Sequence, residues 1–156
     1  MIIRSNKKGD DIVRFFNTEG PIKPDDHYYI PIRDRIDKEE ILSLIDRKKY
    51  FVLHAPRQSG KTTSLLTLMD LLNKSGRYKC LYVNVESAQA ARENVEKAIK
   101  AIIKTLERSE KIFLKEDIIS NIEKKLKHES GITSLESLLT YWAQESKVPI
   151  VLLIDE

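Results

Sequence analysis

A chain of 156 residues holds one ordinary domain and is too short for two. With 41% hydrophobic and 33% charged residues, five Gly and five Pro, it is not collagen-like, low-complexity or mostly disordered, and its longest aliphatic run, Ile150 to Ile154, is far short of a membrane span. A net charge of +3 permits nucleic acid as a partner without indicating it, one cysteine (Cys80) excludes an internal disulfide, and no apolar leader follows Met1, so the expectation is a cytoplasmic α/β protein with no membrane partner.

Residues 1–36 read as a polar lead-in with turn chemistry at Gly20-Pro21 and Pro24-Asp25-Asp26, interrupted by His27-Tyr28-Tyr29-Ile30-Pro31. Residues 37–156 read as the core domain. Asp37 with Glu40 fits a capping box, ahead of a helix striped by Ile41, Leu42, Leu44 and Ile45. Tyr50 to His54 is aromatic and β-branched without a helical period and is expected to be a short buried strand. A helix from about Gly60 to Lys74 follows, with Leu65, Leu68, Met69 and Leu72 on one face and Gly76 placed to end it. In Lys79 to Val85, Leu81, Val83 and Val85 alternate with Tyr82 and Asn84, the pattern of a second strand.

Between that strand and the next, about 62 residues (86–147) carry helical patterns. Val95, Ile99, Ile102, Ile103 and Leu106 stripe one helix; Ile118, Ile119, Ile122 and Leu126 stripe a shorter one. Thr133 and Glu136 form a capping box before Leu135, Leu138, Leu139 and Trp142. Val148 to Ile154 is then a strongly apolar strand running into Asp155-Glu156. Alternating strands and helices imply βαβ units and a parallel sheet. A bare crossover needs only a dozen or so residues, so residues 87–147 are expected to be a helical insertion before the last strand. Lys124, Lys125 and Lys127 lie beside Glu123 and Glu129 and read as a solvated helix face rather than a basic patch.

Two motifs carry chemistry. Ala55-Pro56-Arg57-Gln58-Ser59-Gly60-Lys61-Thr62 matches the phosphate-loop spacing G-x-x-x-x-G-K-[ST], with Ala for the leading Gly. With either small residue allowed first, chance produces that spacing in roughly one chain in a hundred of this length. A strand before it and a helix after it are the context the loop requires. Backbone amides of Gln58, Ser59, Gly60, Lys61, Thr62 and Thr63 would converge on phosphate oxygens at a helix N-terminus. Lys61 would place a charge between the β- and γ-phosphates, and the Thr62 hydroxyl would ligate Mg2+. The second motif, Val151-Leu152-Leu153-Ile154-Asp155-Glu156, delivers Asp155 to the Mg2+ shell and Glu156 as the general base on water.

HAPRQSGKTT together with VLLIDE resembles the Walker A and Walker B motifs of P-loop NTPases, in the class with an extra catalytic glutamate. The Pro-Arg-Gln-x-Gly-Lys-Thr wording is similar to AAA-like ATPases of the archaeal, origin-recognition and STAND groups, as is the lead-in Phe15-Phe16-Asn17 to Arg35-Ile36-Asp37. The resemblance implies a three-layer P-loop NTPase fold around a parallel sheet, with ATP and Mg2+ as cofactors and Mg2+-dependent ATP hydrolysis as the activity. It also implies that Tyr28, Tyr29 or Ile30 lies against the adenine. Glu86, at the exit of the second strand, is expected to be a solvated loop acid. Ending on Glu156, the chain lacks the later strands, sensor residue, arginine finger and lid of that family, and is expected to be the N-terminal part of a longer protein. A nucleotide-switched module, signalling through self-association or a partner protein with little hydrolysis, is the alternative. A small-molecule kinase would need a basic lid and an acceptor site. A nuclease would need paired strands where Glu123 and Asp25 sit on a helix and a loop, and His27, His54 and His128 lack metal-ligand spacing.

Overall fold

The computed structural model describes residues 14–18, 23, 25–28, 37–56, 59–91, 93–126 and 132–155. Two compact units divide the chain, residues 1–63 and 64–156.

In the first unit, helix α1 (Lys38–Asp46) starts where its capping signal lies. Asp37 Oδ1 accepts from the Glu40 amide at 2.9 Å, satisfying one of the donors a helix leaves free at its start. Ile41 and Ile45, one turn apart, are its buried residues. The expected turn at Asp25-Asp26 is present: the amides of Asp26 and His27 both donate to the Lys23 carbonyl, at 3.1 and 2.9 Å. It brings His27 beside Phe15 in an isolated parallel bridge, with the two rings edge to face at 4.7 Å. His27 is buried, and its Nδ1 accepts from the Lys23 amide at 3.0 Å. The expected turn at Gly20-Pro21 lies outside the described residues.

One expectation in this unit is corrected. Tyr50 to His54 is not a buried strand among the described residues: Tyr50 is fully exposed and Val52 is 87% exposed. Exposure nevertheless alternates. Phe51, Leu53 and Ala55 are half-buried, while Tyr50, Val52, His54 and Pro56 are exposed. That period of two belongs to extended backbone, but a strand also needs a ladder partner, and periodicity cannot supply one.

Helix α2 (Lys61–Ser75) buries Leu65, Leu68, Met69 and Leu72, the stripe expected from the sequence. Gly76 follows at φ +67°, the left-handed turn that ends a helix most cheaply without a Cβ. In the second unit, β1 (Lys79–Asn84) and β2 (Ile150–Asp155) form a two-stranded parallel sheet, in register from Lys79↔Ile150 to Asn84↔Asp155. The Lys79 amide donates to Pro149 O and the Val85 amide to Asp155 O, so odd-numbered residues of β1 turn their backbone groups toward β2. Cys80 turns its own toward the other edge. There Asn73 of α2 stands in for a strand: its Nδ2 donates to Cys80 O at 2.9 Å and its Oδ1 accepts from Cys80 N at 2.7 Å. Cys80 itself is fully buried, as expected of a small hydrophobe.

The long β1-to-β2 connection is helical, as expected. It contains α3 (Glu86–Gln89), α4 (Val95–Ser109), one wide π turn (Glu110–Leu114), α5 (Ile118–Lys125) and α6 (Ile132–Glu145). Leu81 and Val83 form one core with Ile99, Ile103 and Leu106 of α4, Ile119 and Ile122 of α5, and Leu138 and Trp142 of α6. Each such side chain, fully buried, is worth about 1.5–3 kcal/mol, so this layer holds the sheet in place. Two local expectations change. Thr133 lies inside α6 rather than ahead of it, so it is not that helix's capping residue. Glu86 is exposed as expected, but it opens α3 instead of lying in a loop. Lys124 and Lys125 are exposed, the solvated face expected, and Lys125 reaches Glu145 at 3.4 Å.

Candidate functional site

The loop ahead of α2 is built by a short turn, in which the Ser59 amide donates to the Pro56 carbonyl at 3.3 Å. Gly60 follows at φ +79° and hands the chain to the helix at Lys61. A residue with a Cβ is disfavoured in that left-handed conformation, and this is the place where the motif's glycine is needed. The Ser59 hydroxyl oxygen is buried with no hydrogen-bond partner among the described residues. An orphan polar atom of this kind calls for an explanation, such as a ligand.

The first turn of α2 is unusual in its charge. It contains no acidic residue, and it begins with a lysine, followed by Thr62, Thr63 and Ser64. The first amides of a helix lack intrahelical partners and carry a partial positive charge, which Asp or Glu normally complements. Lys61 has the wrong sign for that position, at a cost of about 0.3–1 kcal/mol when nothing anionic is present. Lys61, Thr62 and Thr63 are all half-buried. Gln58 lies outside the described residues.

A second group of candidate residues sits at the C-terminal end of β2. Asp155 is half-buried, its carbonyl accepts from the Val85 amide at 2.9 Å, and its carboxylate Oδ2 accepts from the Tyr82 hydroxyl at 3.0 Å. Tyr82 pairs in register with Leu153, so its side chain leans two residues along β2, on the face it shares with Asp155. Beside them, Asn84 Oδ1 accepts from the Glu86 amide at 2.8 Å and turns the chain into α3. Glu156 lies outside the described residues.

The described structure thus joins Ser59, Gly60, Lys61, Thr62 and Thr63 along one loop-to-helix joint, and Tyr82 with Asp155 across one strand pair. Tyr28 belongs to the lead-in. It is 55% exposed, with its ring tilted against Phe16 at 5.1 Å, and Tyr29 lies outside the described residues. From the sequence, Tyr82 is only one of the residues alternating with Leu81, Val83 and Val85. A signal was present, since Tyr82 and Asn84 share a face, but the register that brings Asp155 to them was not readable. No group of three or more His, Cys, Asp or Glu side chains that could hold a metal by themselves occurs among the described residues.

Residues 34–156 match the family described as Nephrocystin 3, N-terminal. The chain belongs to that family. The match begins just before α1 and runs through the loop, α2 and both strands, so it includes every candidate residue except Tyr28, Tyr29 and Ile30. It is a match to that family and not to an AAA-like ATPase family, and the description names neither a nucleotide nor a reaction. No curated protein and no solved structure matches the chain. No helix among the described residues is long and apolar enough to cross a membrane.

Proposed function

We propose that this chain is a Mg2+-dependent ATP-binding and ATP-hydrolysing domain of the AAA-like P-loop type, acting in the cytoplasm. The observation that carries the reading is the joint at Gly60. A left-handed glycine opens a helix whose first turn has a lysine and no acid, beside a buried hydroxyl without a partner. Those features suit a bound polyphosphate: its oxygens would accept from backbone amides of the loop, complement the helix terminus and neutralise Lys61.

In this reading the amides of Gln58 to Thr63 cradle the phosphates, and Lys61 bridges the β- and γ-phosphates. Thr62 and Asp155 would each offer an oxygen to Mg2+, while Glu156 would take a proton from the attacking water. When bound, Mg2+ offsets the negative charge that gathers on the transferring phosphate oxygens. Catalysis is then positioning and charge neutralisation, with no covalent intermediate. Tyr28, Tyr29 or Ile30 would supply the contact to the base.

Titration of the chain with a fluorescent ATP analogue, with and without Mg2+, tests this. Saturable, Mg2+-dependent binding is expected. Lys61→Ala removes a charge-assisted contact worth about 1.5–3 kcal/mol, so it should weaken binding roughly ten- to hundred-fold. Equal binding by both proteins would overturn the reading. Glu156→Gln should spare binding and stop phosphate release.

The exposed Ile112 and Phe113 on the π turn favour a second reading, in which ATP switches self-association or partner binding with little hydrolysis. An ATP-dependent change in sedimentation with negligible phosphate release would select it.

A further inference from the structure

We infer that Tyr82 is the positioning residue for the carboxylate of Asp155, and that its hydroxyl sets the affinity of this chain for a divalent cation. The inference rests on the reading of Asp155 as a Mg2+ ligand. Its own support is separate: a 3.0 Å hydrogen bond from the Tyr82 hydroxyl to Asp155 Oδ2, between adjacent parallel strands in register from Lys79↔Ile150 to Asn84↔Asp155.

An aspartate at the end of a strand has two side-chain torsions that would otherwise sample several rotamers. Here the strand pairing limits that freedom from two directions. The Asp155 backbone is held by the Val85 amide at 2.9 Å, and the carboxylate by a phenol anchored on β1. The flanking residues of β1, Leu81 and Val83, are buried in the core of α4, α5 and α6, so the strand carrying the phenol is rigidly seated. Tyr82 itself is half-buried, which strengthens a hydrogen bond relative to one in water.

The chemistry of the partner matters as well. A phenol donates a hydrogen bond without bringing a positive charge. It therefore orients the carboxylate without neutralising it, whereas a lysine or arginine in the same place would compete with the metal. Groups that orient metal-ligating carboxylates in this way typically change metal affinity by 10–100-fold when removed.

The test uses the full chain and Tyr82→Phe, which removes one oxygen and keeps the ring. Binding of the fluorescent ATP analogue is measured across a Mg2+ titration and again in EDTA. Tyr82→Phe is expected to raise the half-saturating Mg2+ concentration about ten-fold or more, with unchanged analogue affinity in EDTA and an unchanged circular-dichroism spectrum. In an Asp155→Glu background, where the carboxylate sits one methylene farther out, adding Tyr82→Phe should produce no further shift, because the two residues act as one unit.

A wild-type chain that shows Mg2+-dependent binding, with a Tyr82→Phe variant of unchanged half-saturation, overturns the inference and leaves the ATP reading standing. A variant that fails to fold, or that loses metal-free binding to the same degree, makes the hydroxyl merely structural and also overturns it. A wild-type chain with no Mg2+-dependent binding removes the ATP reading and this inference together.

Discussion

Glu110 is fully buried, and the consequences of that burial can be measured. Its position follows from α4: Ile99, Ile103 and Leu106 form the buried stripe, and the next place on that stripe is occupied by a glutamate at the start of the wide π turn. One carboxylate oxygen accepts from the Ile119 amide at 3.0 Å and so caps α5 from a distance, where Asp117, the residue at the capping position, makes no side-chain cap. The other oxygen is buried with no partner among the described residues. Loss of hydration raises the carboxyl pKa above the ordinary glutamate range, and nearby Glu116 raises it further. The amides of Ile119 and Ile118, and Lys79, which is itself paired to Glu116 at 2.6 Å, act in the opposite direction.

Two substitutions separate the hydrogen bond from the charge. Glu110→Ala leaves the Ile119 amide unsatisfied, at about 1–3 kcal/mol. It also opens a cavity of a few methylene groups, so a total loss of about 2–4 kcal/mol is expected. Glu110→Gln keeps an acceptor for Ile119 and removes the charge, and should leave the protein as stable as wild type at pH 7 or more stable by about 1 kcal/mol. Because the folded pKa is raised, the folded state holds its proton to higher pH than the unfolded state does. Wild-type stability therefore includes a contribution that is complete below the unfolded value of about 4.3 and is lost as pH rises through the folded value. Urea unfolding of the three proteins from acidic to neutral pH reads this directly, with the advantage of Gln over wild type growing as pH rises. If Gln is as destabilising as Ala at neutral pH, or if its difference from wild type does not change with pH, the reasoning is wrong.

Two further predictions come from the edge of β1. Asn73→Ala strips partners from both backbone groups of Cys80, and at about 1–3 kcal/mol for each buried group should cost about 2–6 kcal/mol in urea or thermal unfolding; a loss below about 0.5 kcal/mol would mean that other groups replace the amide. Cys80 is fully buried and its thiol is pushed up to about 12 by burial, so it should react with a disulfide reagent at neutral pH only as fast as the protein opens, and rapidly once denatured.

Much of the fold is written locally in the sequence. The stripes of α1, α2, α4 and α5 recur every three or four residues, and the Asp37 cap and Gly76 stop act within a turn of their helices. The Gly60 turn into α2 is legible for the same reason, since it involves only backbone contiguous with that glycine. The expected strand at Tyr50 to His54 failed at a nonlocal step. Its alternation survives as exposure, but pairing depends on a ladder partner supplied by another segment. Thr133 failed because α6 includes it, and a capping pattern is convincing only once the helix boundary is known.

By itself, then, the sequence determined where the longer helices run, which faces they bury, and that a loop with phosphate-loop spacing precedes α2. Tertiary structure alone decided that Asn73 serves as a strand edge for Cys80, that Glu110 caps a helix eight residues beyond it in the chain, and that Tyr82 holds Asp155. Periodicity and capping involve neighbours a turn apart, so the order of residues encodes them. A hydrogen bond between residues 82 and 155 depends on the register of two strands brought together only by the packing of α4, α5 and α6.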